Sequence, residues 1–490
     1  MDIMHKQFWI LVPLLLSGCI TMETPEQMME RISRQSEEKA SAAILSDPSP
    51  HERTRAAREL GRKGDAASVD LLIKALGDAD AMVRAAAAEG LRDAGDAGAK
   101  GREPVMAALL AESDPSAVVA MGWALQRWKV DLRPASDVFA GVMSQTNNPR
   151  ARYHAALLTR SFAEVSVLAP VYVDTLGTKV AQDARNKPDE LISDLIPKNG
   201  KTLIPFVVAG AESENPATRA EVARLLRKFK PPVDPMDRVR QLRENPQADI
   251  MKTILPAEVE AALLRLLADP DASVRAAAAW SAGMCDPAPD ASVPLLRGLL
   301  KDTDEAVRSA AVYAIGPMVV LKRAPKETLD DMSFLIDDES AKVRAAAAHS
   351  LAQQGSLPAN ITKKLALKLD ASREPDAYAR SMIAAALGSG AKSPEMTTAL
   401  LKGLKDSDKT VVERTLSSIG QSGVEDADVL TLVADLTRPE ADFGIRLNAL
   451  GALNTLGAKA RPVRAHVVAA AGDPNEAIRS AAQFALKNID

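Results

Sequence analysis

Apolar residues return along this chain with the spacing of one helix face, and the same polar punctuation returns with them. The clearest copy is Asp304 to Gly316, DEAVRSAAVYAIG. The pattern reappears as DADAMVRAAAAEGL from Asp78, DPDASVRAAAAWSAG from Asp269 and DESAKVRAAAAHSL from Asp338. Aligned on the Arg of the Val-Arg pair, the centres are residues 53, 84, 118, 152, 219, 275, 308, 344, 380, 412, 446 and 479. Arg fills all of them except Val118 and Val412. Most successive gaps are 31 to 36 residues; the gap from 152 to 219 is 67, close to two periods, and implies one degenerate copy. Four residues before the centres stand Ser49, Asp80, Asp114, Asn148, Asn215, Asp271, Asp304, Ser340, Asp376, Asp408, Asp442 and Asn475. Each is a residue type that caps the free N–H groups of a helix start. Pro follows at 115, 149 and 216, the favoured first helical position. Seven residues after the centre an apolar residue recurs, such as Leu91, Ile315, Leu351 and Leu453, with Thr159 and Ala282 as exceptions. Each copy therefore predicts a capped, Ala-rich amphipathic helix.

A second amphipathic segment precedes each of these runs, as in SVDLLIKAL from Ser68, EVEAALLRLL from Glu258, SVPLLRGLL from Ser292 and MTTALLKGL from Met396. Two helices at this period form a hairpin that cannot bury its apolar face alone, so hairpins must stack. The expected fold is an all-α solenoid of about 12 to 14 repeats. Apolar residues make up 47% of the chain but aromatics only 3%, so the core is built from Ala, Leu, Val and Ile. The pattern breaks at Lys230-Pro231-Pro232-Val233-Asp234-Pro235, which cannot be regular helix. The expected organisation is an N-terminal array over 41–227, an irregular insertion or hinge over 228–256, and a C-terminal array over 257–490. Arg224, Arg227, Lys228 and Lys230 make a local basic cluster that a solvated helix end explains equally well.

The units resemble HEAT repeats, especially the short bacterial type also found in phycobilisome-lyase-like proteins. The resemblance covers about residues 40–490 apart from the irregular middle. It implies a polar ladder formed by the Asp and Arg of neighbouring units. Asp80 with Arg84, Asp271 with Arg275, Asp304 with Arg308 and Asp442 with Arg446 stand at the matching positions, and Val118 and Val412 should interrupt the ladder. The resemblance also implies that the second helix of each unit lines a concave face.

The N-terminus has a different character. Residues 8–16 form an apolar run too short to span a membrane but suited to a signal-peptide core. Translation from Met4 would give a cleaner basic segment before it, because Asp2 offsets Lys6. Leu16-Ser17-Gly18-Cys19 directly after the run resembles the lipobox of bacterial lipoproteins. That resemblance implies cleavage of residues 1–18 and lipidation of Cys19. Ile20 rather than Asp follows the Cys, which favours an outer membrane over an inner one. Residues 19–40 would then hold the anchor, a short tether and the start of a first helix, announced by Thr24-Pro25-Glu26.

Candidate chemistry is sparse. Gly200-Lys201-Thr202 lacks the upstream Gly of a phosphate loop, and His51-Glu52 lacks the second His of a zinc-protease helix. His154, His349 and His466 are isolated in sequence. Cys285 reads as a small buried hydrophobe. Neither catalysis, metal nor cofactor is expected, although a bilin-lyase-like or iron-hydroxylase-like protein on the same fold is the alternative. A formal net charge of −4 argues against a broad nucleic-acid surface. At 100° per residue, the fifth position after each centre falls opposite the core side. That column holds Trp123, Trp280, Tyr313, His349 and Phe484. Rings there are expected to anchor a protein partner. The resulting expectation is a lipid-anchored scaffold of the cell envelope, facing the periplasm, whose membrane contact is the lipid alone.

Overall fold

A computed structural model of the chain describes residues 46–490, except 146, 184–185, 231–254 and 286–287, together with Thr24, Glu26 and Met28. The signal segment, Cys19 and most of the expected first helix and hinge lie outside the described residues. Among the described residues there is no strand, only one isolated bridge between Leu357 and Gly390. The fold is an all-α helical-repeat solenoid. It divides into two compact units, residues 1–167 and 168–490.

Twelve helices start at the expected caps. In the first unit they are α1 (Pro50–Lys63), α2 (Ala81–Asp93), α3 (Pro115–Arg127) and α4 (Pro149–Thr159). In the second they are α5 (Pro216–Leu226), α6 (Ala272–Gly283), α7 (Glu305–Val320) and α8 (Ala341–Ala352). Then follow α9 (Ala377–Leu387), α10 (Lys409–Ser422), α11 (Phe443–Leu456) and α12 (Glu476–Ile489). The Asp and Asn caps accept hydrogen bonds from the first-turn N–H groups, as Asp304 does from Ala306 and Val307 at 2.8 and 3.2 Å. Ser49 and Ser340 occupy the cap position without a side-chain bond. Within each unit every capped helix packs on the next, and a shorter helix precedes each from α2 onward except α5, such as Ala257–Leu267 before α6.

The degenerate copy is visible between α4 and α5. Helix Pro188–Gly210 breaks at Asn199, whose backbone (φ −127°) is not helical, so it is two helices joined at a kink. Residues 188–198 start at Pro188 after Lys187, which supplies no cap. Beyond it, α5 and α6 flank the Pro-rich segment in sequence yet stack directly on each other within the second unit. The boundary between the units falls at 167/168.

The ladder is present, but its acidic half consists of different residues from those expected. Arg308 donates from Nε and Nη2 to both carboxylate oxygens of Asp338 at 2.7 and 2.8 Å. Its Nη1 donates to the carbonyls of Asp302 and Thr303 in its own turn. The same fork joins Arg53 to Asp78, Arg84 to Glu112, Arg219 to Asp269, Arg275 to Asp302 and Arg380 to Asp406. Arg344 pairs with Glu374, and Arg446 with Asp473. Each acid stands six before the next centre, two before the cap, and accepts the cap residue's backbone N–H, as Asp302 does from Asp304 at 2.9 Å. Asp80, Asp271, Asp304 and Asp442 instead spend a carboxylate oxygen on their own helix starts. Each of these eight Arg thus ties its own repeat to the next one, whereas Arg152 donates to the Met143 carbonyl. Val118 and Val412 are buried without such a group, and the acid that would meet position 412, Glu440, is exposed.

These pairs predict how stability depends on pH. Hydrogen bonds from Arg53 hold the Asp78 carboxyl below its ordinary range. Burial pushes Asp269, Asp302 and Asp406 upward, but the guanidinium and backbone N–H bonds outweigh it and all three end low. A carboxyl depressed in the native state stabilises fully above its unfolded value, about pH 4, and loses that contribution as pH falls through the native value. The melting temperature is therefore expected to fall steeply below pH ~4. Thermal melts followed by circular dichroism across that range check this, and a flat or rising trend would refute it.

Candidate functional site

The angular arithmetic of a helix places four positions of each capped helix on one open face: two before the ladder centre, and two, five and nine after it. Exposure agrees. Trp280 on α6 and Met284 at its C-terminal cap are each 48% exposed, Tyr378 on α9 is 60% exposed and Phe484 on α12 is 59% exposed. Trp123, Tyr313 and His349 are half-buried.

The structure brings some of the expected residues together and separates others. Tyr313 on α7 and His349 on α8 meet with ring centroids 5.6 Å apart. His349 also lies 3.1 Å from the Gln353 amide, one turn on. Burial, and then the Arg414 guanidinium on α10, push the His349 imidazole below its ordinary value. Burial, and then Tyr378, push the Tyr313 phenol up. Tyr313 and His349 are thus in contact, and Tyr378 and Arg414 stand at open-face positions of the next two helices, α9 and α10. Trp280 stands on α6, the helix before α7, and Phe484 is on the last helix of the stack. Trp123 belongs to the first unit, where it packs edge-on to His154 on α4 at 5.8 Å. Burial, then Arg150, lowers His154.

The column of fifth positions does not contain Tyr378, Met284 or Arg414. The signal was available: Tyr378 lies two before its centre, seven residues from position +5 and so on nearly the same face. Considering one column alone hides it, because the fifth position of α9 is Ala385.

Cys285 is buried, its thiol raised by desolvation to about 11, and its Sγ faces the Ser281 carbonyl at 3.4 Å. The Lys230 ammonium donates to the Cys285 carbonyl. Among the described residues no group of three or more His, Cys, Asp or Glu could hold a metal ion. Among them also, no helix is long and apolar enough to cross a membrane.

A family model described as HEAT repeats matches residues 38–126 and 259–352. No curated protein matches the chain. Among solved structures, the chain is similar to Kap121p, with a TM-score of 0.50 and 14% identity over 95% of this chain. It is similar also to Kap121p bound to RanGTP, with a TM-score of 0.51 and 14% identity over the same share. The match covers 54% of those chains, so this protein spans about half their length. At such identity the likeness is one of fold.

Proposed function

We propose that the chain is a non-enzymatic, lipid-anchored HEAT-repeat scaffold of the bacterial cell envelope, one that holds a protein partner on the concave side formed by its capped helices. The observation that carries this reading is the row of rings on the open face of α6 to α9, Trp280, Tyr313, His349 and Tyr378. In a chain with 3% aromatics, such a concentration needs a reason. Exposed Trp and Tyr supply large contact area for little conformational entropy, and they dominate interface energetics. Kap121p, on a related fold, has been crystallised with RanGTP. The lipobox-like Leu16-Ser17-Gly18-Cys19 supports the anchor, and Ile20 after it supports an outer-membrane site facing the periplasm.

Replacing Trp280 and Tyr313 together by Ala is expected to weaken partner binding by about 2 kcal/mol or more. Helical circular dichroism should stay near wild type, because Trp280 is about half exposed. Equal loss of helicity and binding would show that the rings serve packing instead. For the anchor, cells fed a radiolabelled fatty acid should label the wild-type chain and not Cys19→Ala. Equal labelling of both, or of neither, would exclude Cys19 as the lipid site.

A further inference from the structure

The open face of α6 to α12 is depleted of charge in a way that specifies its occupant. The whole chain is 26% Asp, Glu, Lys and Arg. At the four open-face positions on each of these seven helices, only Lys342 and Arg414 are charged, and neither Asp nor Glu occurs. The remainder are rings, Met, Pro317, and small or amide residues. Buried alanines, Ala277, Ala310 and Ala346, form the floor between the ridges. Depletion of charge with enrichment of aromatics and Met is the composition of a protein-binding surface.

The sign of the two remaining charges matters. Lys342 is already paired with Glu305 at 3.4 Å. Arg414 is exposed and makes no ion pair among the described residues. It stands at an open-face position of α10, the helix packed on α9, whose open face carries Tyr378. Its nearest acidic neighbour in sequence, Glu413, turns instead toward Gly444 on α11, with Oε1 about 3.0 Å from where a Cβ on that glycine would sit. The carboxylates nearest this face, Glu305 and Glu413, lie against Lys342 and Gly444, so a basic segment laid beside Arg414 would meet like charge there. A nucleic-acid backbone needs many cations in succession, and two separated ones do not supply them. A carboxylate followed by apolar side chains fits: the acid meets Arg414 on α10, and the apolar groups run across Tyr378 on α9 toward Tyr313 on α7 and Trp280 on α6.

We infer that the open face of α6 to α10 binds an acidic polypeptide segment, with Arg414 receiving a carboxylate and the ring row receiving the apolar side chains beside it. This rests on the protein-binding reading above and deepens it.

The test is selection of random displayed peptides on the full-length mature chain, followed by fluorescence anisotropy of the enriched sequences. The expected result is enrichment of Asp and Glu next to aromatic or aliphatic residues. Arg414→Glu should weaken those peptides about tenfold or more, and changing the peptide acid to Lys should restore part of the loss. Enrichment of basic or uncharged peptides, indifference to Arg414→Glu, or no enrichment would overturn the inference. So would displacement of the peptides by single-stranded DNA, or self-association through this face seen by light scattering. Uncharged peptides that are lost on replacing Trp280 and Tyr313 by Ala would leave the protein-binding reading intact and remove only the acidic preference. Peptides indifferent to both ring substitutions would remove both.

Discussion

Replacing Arg308 by Ala is expected to destabilise the second unit by about 3–5 kcal/mol, the range for removing one partner of a buried ion pair. Arg308 and Asp338 are only 8% and 7% exposed at their side chains. The substitution leaves the Asp338 carboxylate buried, with the Ser340 N–H as a remaining donor but no counter-charge. It also frees the carbonyls of Asp302 and Thr303 that Nη1 bridged. Removing both partners should cost less than removing Arg308 alone, because the uncompensated charge is then gone. Urea unfolding followed by circular dichroism measures this, read as a shifted or split transition, since stability in a repeat stack sums over neighbouring interfaces. A loss below about 1 kcal/mol, typical of an exposed pair, would refute the account of the ladder.

The second large effect concerns close approach between capped helices. Gly61 on α1 faces Gly90 on α2, and a Cβ built on Gly61 would lie 2.4 Å from the Gly90 Cα and 3.0 Å from its carbonyl oxygen. These are backbone atoms, so the helices themselves must part. Helix propensity alone would make Gly61→Ala stabilising by about 1 kcal/mol. The clash reverses that sign, and a net loss of about 2–3 kcal/mol is expected. Gly141, inside helix Ser136–Gln145 of the same unit, has nothing within 4 Å of such a Cβ. Gly141→Ala should therefore stabilise by about 0.5–1 kcal/mol. Opposite signs for the two substitutions in the same urea experiment are the result expected; equal signs would contradict the packing described. The contact recurs in the second unit, where Gly283 meets Ala314 and Gly316 meets Ser350.

What was legible in sequence follows the range of the forces involved. The caps were legible because a cap is local: Asp304 and the N–H groups it receives lie within three residues. The ladder was half legible. Its arginines are fixed by the repeat, but two acids compete for each, as Asp302 and Asp304 show. Sequence does not reveal that Asp304 is committed to its own helix while Asp302 faces the preceding unit. A partial signal did exist: the repeats after Arg53, Arg84, Arg219, Arg275, Arg308, Arg344, Arg380 and Arg446 all carry an acid two before the cap and the one after Val118 does not, although the one after Val412 carries Glu440. The paired small residues, Gly61 with Gly90, were not legible, because their role is set by the distance between helices far apart in sequence. The ring column was found by angle alone, and the structure supplies the Tyr313–His349 contact and adds Tyr378 and Arg414.

The central claim is that the open face of the capped helices holds a protein partner. Its most direct test is photo-crosslinking in the native host, with a crosslinking residue in place of Trp280 and a control in place of Lys402. Lys402 lies on helix Pro394–Gly403, the partner helix before α10, and makes only a surface ion pair with Asp370 at 2.6 Å. The account predicts that position 280 captures a defined envelope protein and position 402 does not. Equal capture from both positions, or capture from neither, would contradict it.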